Sequence, residues 1–225
     1  MEGDLILNFT FLGKYLGYFI KGTEITIVLA FFAVLFGTFL GLVLTLLRRS
    51  KFKLISFIGT AYVEFVRGTP LLVQIYIIYI GLPKLIGMDL PDMVTGAIAL
   101  SLNSSAYVSE IIRAGIEAVD KGQMEAARSL GMNQRQAMFE VIIPQAFKNI
   151  LPALGNEFIS VIKESSMVSV IGVAELMYNA GIVRGNTALG LEPVIVAAVI
   201  YFIITFTLTR VLGYVERRMK ASDIR

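Results

Sequence analysis

Five stretches of this chain are long and apolar enough to cross a lipid bilayer, which constrains its fold more than any other feature. Ile25–Leu47 is 23 residues without Asp, Glu, Lys or Arg. Gly68–Pro83 is charge-free and extends upstream through Glu64 and Arg67. Met93–Ser109 and Pro193–Thr209 are charge-free as well. Asn149–Ala174 is apolar but carries Glu157, Lys163 and Glu164. A membrane helix needs about 20 apolar residues, and such blocks explain why 56% of the chain is hydrophobic and its mean hydropathy is +0.75. A soluble chain is nearer ~45–50% apolar. The expected fold is all-α and polytopic, with five transmembrane helices at about 20–47, 57–83, 92–118, 149–174 and 193–214. Without an internal repeat, low-complexity tract or linker, residues 1–225 read as a single domain.

Basic residues set the orientation. Arg48, Arg49, Lys51 and Lys53 follow the first span; Arg113, Lys121, Arg128, Arg135 and Lys148 surround the end of the third and the loop after it; Arg210, Arg217, Arg218, Lys220 and Arg225 follow the fifth. The opposite side has only Lys14, Lys21, Lys84 and Arg184. Lys and Arg collect on the cytoplasmic side, so the N-terminus is expected outside and the C-terminus in the cytoplasm. The pI of about 9.1 follows from this asymmetry and points to a lipid bilayer as partner, with no nucleic acid. Glu2 and Asp4 stand where a signal peptide would carry Lys or Arg, so none is expected.

The chain has no cysteine and no histidine. That removes disulfides, thiolate nucleophiles, imidazole bases and the commonest zinc ligands. It also has no G-x-x-x-x-G-K-[ST] or G-x-G-x-x-G loop, so neither glycine-loop device for a nucleotide phosphate is present. The expectation is a chain that is not an enzyme and holds no cofactor or metal. Gly37-x-x-x-Gly41 would let another helix approach the first span closely, unless these glycines are merely tolerated there.

Residues 120–144 form a polar island between apolar blocks. Asp120 can N-cap a helix, with Gln123 reaching back as in a capping box. Gly131 follows as glycine does after a helix C-terminus. Asn133 can cap a second short helix, again with Gln three residues on, and Pro144 is expected to close it. Met124, Ala127 and Leu130 share a face. The result would be a compact helical hook that a partner can hold, or else a loop packed under its own bundle.

The spacing within this island is specific. Glu125-Ala126-Ala127, three residues, Gly131, nine residues, then Val141-Ile142-Ile143-Pro144 resembles the EAA loop of permease subunits in ATP-binding-cassette (ABC) importers, with Val141 and Ile143 for the family's Ile and Leu. Glu64-x-x-Arg67-Gly68-Thr69-Pro70-Leu71-Leu72-Val73-Gln74, and Lys163-Glu164-Ser165-Ser166 followed by Val170-Ile171-Gly172-Val173-Ala174-Glu175-Leu176, resemble the polar amino acid (histidine/glutamine/arginine) branch. The resemblance covers roughly residues 20–215. It implies a type I importer permease in a bacterial cytoplasmic membrane. It implies a coupling helix docked on an ABC ATPase through Glu125, Ala126, Ala127, Leu130 and Gly131, with ATP and Mg bound by that partner. It further implies a second permease copy, identical or related, and an extracytoplasmic amino acid binding protein.

Ionisable groups inside a membrane are costly and so are site candidates. Glu157, Ser160 and Glu164 share one stripe of the fourth span; Lys163 points elsewhere. Asn103, Tyr107 and Glu110 form a stripe on the third. Arg67 and Gln74 share a face of the second, which Gly68 and Pro70 interrupt, freeing a backbone carbonyl. An amino acid needs an acceptor for its ammonium group, here Glu157 or Glu164, and a donor for its carboxylate, here Arg67, Lys163 or the Gly68–Thr69 amides. Glu164 and Asn103 lie nearest mid-bilayer. Glu110 and Arg113 read as a gate or coupling contact. The competing structural reading pairs Arg67, Glu64, Lys163 and Glu164 with one another, or across a dimer, to neutralise buried charge. In spans 2 and 4, three acids face two bases, which leans toward a cationic substrate.

Three functions are open. The first is an ATP-driven importer subunit for polar amino acids, basic ones among them. The second is an ATP-independent secondary transporter relaying ions through Glu157, Glu164 and Glu110; the docking loop argues against it. The third is a membrane hydrolase built on a Ser160–Lys163 or Ser166–Lys163 dyad.

Overall fold

The computed structural model describes residues 7–221, with the side chains of residues 220 and 221 outside that description. Glu2, Asp4 and Arg225, and the Lys220 side chain, therefore lie outside the described residues. The described residues are mostly helical and contain no strand. In chain order the helices are α1 (Leu12–Arg48), α2 (Lys53–Gly68), α3 (Leu71–Ile86), α4 (Asp92–Glu117), α5 (Lys121–Ser129) and α6 (Gln134–Ala137). A π-helical turn (Met138–Ile142) then leads into α7 (Ile143–Glu164) and a 3₁₀ segment (Ser165–Ile171), followed by α8 (Leu176–Thr187) and α9 (Glu192–Ala221).

Two helices are long and apolar enough to cross a membrane unaided, Leu12–Arg48 and Glu192–Met219. Their outer faces stay apolar and exposed, as Phe31, Phe39, Phe202 and Ile203 illustrate. Aromatic and aliphatic surface of this kind suits lipid, where backbone groups must be bonded within the helix. Two more apolar stretches are bent pairs: α2 with α3 at 115°, and Gln134–Ile171 with α8 at 51°.

The remaining long helix, α4, buries Thr95, Ser101, Asn103, Ser104, Ser105 and Ser109. It is too polar to face lipid and lies at the centre of the bundle, against α1, α2, α3 and α7. Its closest neighbour is α1, and the reason is the glycine pair read in the sequence. A Cβ on Gly37 would sit 2.9 Å from the Ser104 Cβ, and one on Gly41 would sit 2.8 Å from the Val108 Cβ. Small residues let the two backbones meet, and Thr45 adds a hydroxyl contact to Ser109 at 3.2 Å. The glycines serve a contact within the chain. The main apolar cluster gathers Leu29, Ala30 and Ala33 of α1, Leu100 of α4, and Val161 and Ile162 of α7.

Several boundaries differ from the sequence reading. α1 begins at Leu12, well before 20, because Phe11 and Phe19 pack against Leu176 and Val183. The stretch 57–83 is two helices, since Thr69 and Pro70 are extended (ψ 149° and 137°). Pro144 closes nothing. It sits in the first turn of α7, just after the π-helical turn. A proline clashes with the carbonyl four residues back, and the wider turn lets the helix continue past it. Gln123 does not complete a capping box; its amide oxygen accepts from Gln145 Nε2 at 3.1 Å.

Replacing Gly41 with Leu should force α1 and α4 apart. We expect a loss of about 1–3 kcal/mol from overpacking, read as a lower thermal midpoint in detergent. Gly13→Ala, with nothing within 4 Å of its Cβ, should leave the midpoint unchanged.

Candidate functional site

Two groups of predicted residues come together, one inside the bundle and one in the hook. The first centres on the break between α2 and α3. Pro70 has no N–H, so the carbonyl four residues back, on Val66, loses its helical donor. Gln74 supplies the replacement. Its Nε2 donates to the Val66 carbonyl at 2.7 Å and to Thr69 at its carbonyl (3.1 Å) and hydroxyl (3.0 Å). Its Oε1 accepts from Asn103 Nδ2 of α4 at 2.9 Å. Gln74 and Asn103 are both buried, and Thr69 is half-buried. Thr69, Gln74 and Asn103 thus form one polar unit bracing a bent span against the central helix.

Arg67 lies just before the break and does not pair with Glu64 or Glu164. Its guanidinium reaches Glu110 at 3.4 Å and lies 6.0 Å from the Tyr107 ring centroid. Glu110 also binds Arg48 at 2.5 Å and Arg113 at 2.8 Å, and Arg113 continues to Glu117 at 2.6 Å. One half-buried carboxylate therefore faces three arginines from α1, α2 and α4. Within the chain, Arg67 therefore pairs with Glu110 and not with Glu64 or Glu164. Arg48 was missed because a partner 62 residues away leaves no local signal.

On another side of α4, Ser104 donates to Glu157 of α7 at 2.8 Å. Glu157 is buried, and no cation pairs with it among the described residues. Glu164 is half-buried and Lys163 exposed at the end of the same helix, again without an ion pair among the described residues. The Ser166 hydroxyl donates to the carbonyl of Lys163 at 2.7 Å. That bond serves the 3₁₀ backbone and gives no support to a Ser–Lys dyad.

The second break, after the 3₁₀ segment, rests on a residue not singled out as a site. Glu175 is fully buried and caps α8, accepting from the amides of Met177 (2.9 Å) and Tyr178 (2.7 Å). Tyr201 of α9 donates its hydroxyl to the same carboxylate at 2.7 Å. Asn179 fills the Ala174 carbonyl at 2.6 Å, and Thr26 of α1 accepts from the Leu176 amide at 3.2 Å. Glu-x-x-Tyr cap spacing would have been a weak signal for this role.

The hook forms much as its sequence dictates. Asp120 accepts from the Gly122 amide at 2.7 Å and starts α5. Gly131 takes φ +89°, and Met132 and Gly131 donate back to Ala127 and Arg128, the paired bonds of a Schellman C-cap. Asn133 and Gln136 form a reciprocal capping box at α6. The apolar face is divided, however. Ala127 is buried inside the hook and Met124 is half-buried, whereas Leu130 is 82% exposed. Glu125, Ala126, Leu130 and Gly131 are exposed on the hook, and Ala127 is buried within it.

Residues 33–221 match the family described as the binding-protein-dependent transport system inner membrane component. The chain belongs to this family. It is thus an inner membrane component of a transport system. The arginine transport system permease protein of Bacillus subtilis (strain 168) is 43% identical over 220 residues, covering 96% of this chain and 99% of that protein. A chain from a crystal structure of an amino acid ABC transporter with histidines is 50% identical, with a TM-score of 0.91 over 95% of this chain and all (100%) of that one. A chain of an inward-facing methionine ABC transporter shares the fold alone, at 16% identity and a TM-score of 0.76 over 91% of this chain and 97% of that one.

Gln74→Leu should leave the Val66 carbonyl and Asn103 without partners. Burying such groups costs about 1–3 kcal/mol. We expect a lower thermal midpoint and faster amide hydrogen exchange at residues 66–72. Unchanged exchange there would remove Gln74 as the brace of the break.

Proposed function

We propose that this chain is the membrane-spanning subunit of an ATP-driven importer that carries polar amino acids, basic ones among them, across the cytoplasmic membrane. Its relatives include an arginine permease and a probable glutamine ABC transporter permease. In this reading the chain is one domain with five spans: α1, the bent pair α2–α3, α4, α7 with its 3₁₀ extension, and α9. The N-terminus is outside and the C-terminus cytoplasmic, consistent with the Lys and Arg distribution. A second copy, identical or related, completes the path, and a binding protein delivers substrate from outside.

The observation that carries the substrate reading is Glu157, a buried carboxylate satisfied by one serine and matched by no cation. Glu164 lies two turns further along the same helix, toward mid-bilayer. Together they offer acceptors for an ammonium group or a basic side chain. Arg67, Lys163 and Thr69 offer donors to a carboxylate, with Tyr107, Asn103 and Gln74 shaping the break beside them. Glu110 is already neutralised by its arginines, which argues against an ion relay through it. The hook docks on the ATPase through Glu125, Ala126, Leu130 and Gly131, and Ala127 supports it from inside. ATP and Mg belong to that partner.

Uptake of labelled arginine by proteoliposomes holding the chain, its ATPase and its binding protein tests this. Uptake should need internal ATP and survive collapse of proton and sodium gradients. Glu157→Gln and Glu164→Gln should each lower it at least tenfold, with Glu24→Gln, an exposed residue of α1, as control. Gradient-driven uptake without ATP would overturn the importer reading. Equal rates in all three variants would remove the carboxylates from the site.

A further inference from the structure

A cavity of about 700 Å³ opens between the end of α1, the middle of α2 at Thr60, the end of α4 and the hook. Its charged lining is Arg48, Arg49, Arg113, Lys121, Glu117 and Asp120. The balance of these charges is decided by their partners. Arg48 is taken by Glu110, and Arg113 by Glu110 and Glu117. Asp120 is engaged with the Gly122 amide. Arg49 and Lys121 are exposed and form no ion pair among the described residues. Four cations thus face two carboxylates in the lining, which stays net positive, and Arg49 and Lys121 are the lining cations outside any ion pair among the described residues.

The chain around Arg48 and Arg49 is apolar and exposed. Leu46 is 64% exposed, and Phe52, Leu54 and Phe57 are 73%, 71% and 68% exposed. They flank Arg48 and Arg49 in the chain and alternate with Lys51 and Lys53. Large apolar side chains bared beside bare cations mark the boundary where hydrocarbon gives way to headgroups. A ligand here would meet lipid-facing side chains and uncompensated positive charge together. Basic pockets between membrane helices on the cytoplasmic side suit anionic headgroups, and the volume lies within the range of small-molecule sites.

We propose that this cavity binds the phosphate of an anionic phospholipid, held between Arg49 and Lys121, with its acyl chains along Phe52, Leu54 and Phe57. The lipid then ties the α1–α2 elbow to the root of the hook. The proposal rests on the membrane orientation given above but not on transport or on the ATPase.

Native mass spectrometry of the purified full chain tests it, titrating phosphatidylglycerol, phosphatidylcholine and glycerol 3-phosphate separately. Phosphatidylglycerol should bind the wild type about 30-fold more tightly than it binds Arg49→Gln/Lys121→Gln, from roughly fivefold per basic residue near a surface. Arg217→Gln/Arg218→Gln, which removes two cations elsewhere on the same side, should bind like wild type. Circular dichroism checks that both double variants keep their helices. Equal loss in both would reduce the effect to diffuse charge and overturn the site. Phosphatidylcholine bound as tightly as phosphatidylglycerol would overturn its anion preference, and glycerol 3-phosphate bound as tightly would replace the lipid with a soluble phosphate. Since no ATPase is present, none of these outcomes bears on the importer reading.

Discussion

In hydrocarbon a backbone carbonyl or amide has no water to turn to, and each break in a helix must be repaired by the protein itself. This chain bends two of its apolar helical stretches sharply and repairs both breaks with buried side chains. At Thr69–Pro70 the repair is Gln74, held in turn by Asn103. After Ile171 it is Glu175, held by Tyr201, with Asn179 and Thr26 closing neighbouring backbone groups. Among the described residues no buried side-chain nitrogen or oxygen lacks a partner. The rest of the architecture follows, because the helices that supply those partners must lie at the centre.

That helix is chiefly α4. It brings small and polar residues to every neighbour: Ser104 and Val108 to the glycines of α1, Asn103 to Gln74, Ser104 to Glu157, and Glu110 to Arg48 and Arg67. From Asn103 to Glu117 it runs about 21 Å at 1.5 Å per residue, then passes through three residues into the hook. One continuous helix thus joins the brace of the bent α2–α3 pair to the hook. Glu110 lies on that route, joining the ends of α1 and α2 to it. The buried polar groups and the hook are thereby connected through α4.

Local chemistry was legible in the sequence, and distant pairing was not. Asp120, Gly131 and the Asn133–Gln136 box act within a few residues of themselves, so their signals survive in the linear chain. Pro70 announced its open carbonyl for the same reason, and Gly37 and Gly41 announced a close contact without saying with which helix. Glu110's arginines come from segments far apart, and acids and bases in different helices carry no mark of register. Tyr201 with Glu175 was hidden likewise. The π-helical turn before Pro144 was unreadable because a proline after a helix ordinarily ends it, and only the continuous packing of α7 shows otherwise. Ala127 read as part of an exposed face because periodicity cannot tell which side the hook closes on.

In the proposed importer the hook is the handle by which a partner ATPase moves this bundle. Co-purification from the native membrane tests it most directly, using wild type, Leu130→Asp and Gly131→Pro. Leu130 is exposed and structurally idle, so its variant changes only the surface offered to a partner; Gly131→Pro removes the φ +89° turn. The ATPase should accompany wild type and be lost from both variants, whose helical content stays at the wild-type level. An ATPase retained by both, or absent from wild type, would contradict the claim and leave the hook as packing beneath the bundle.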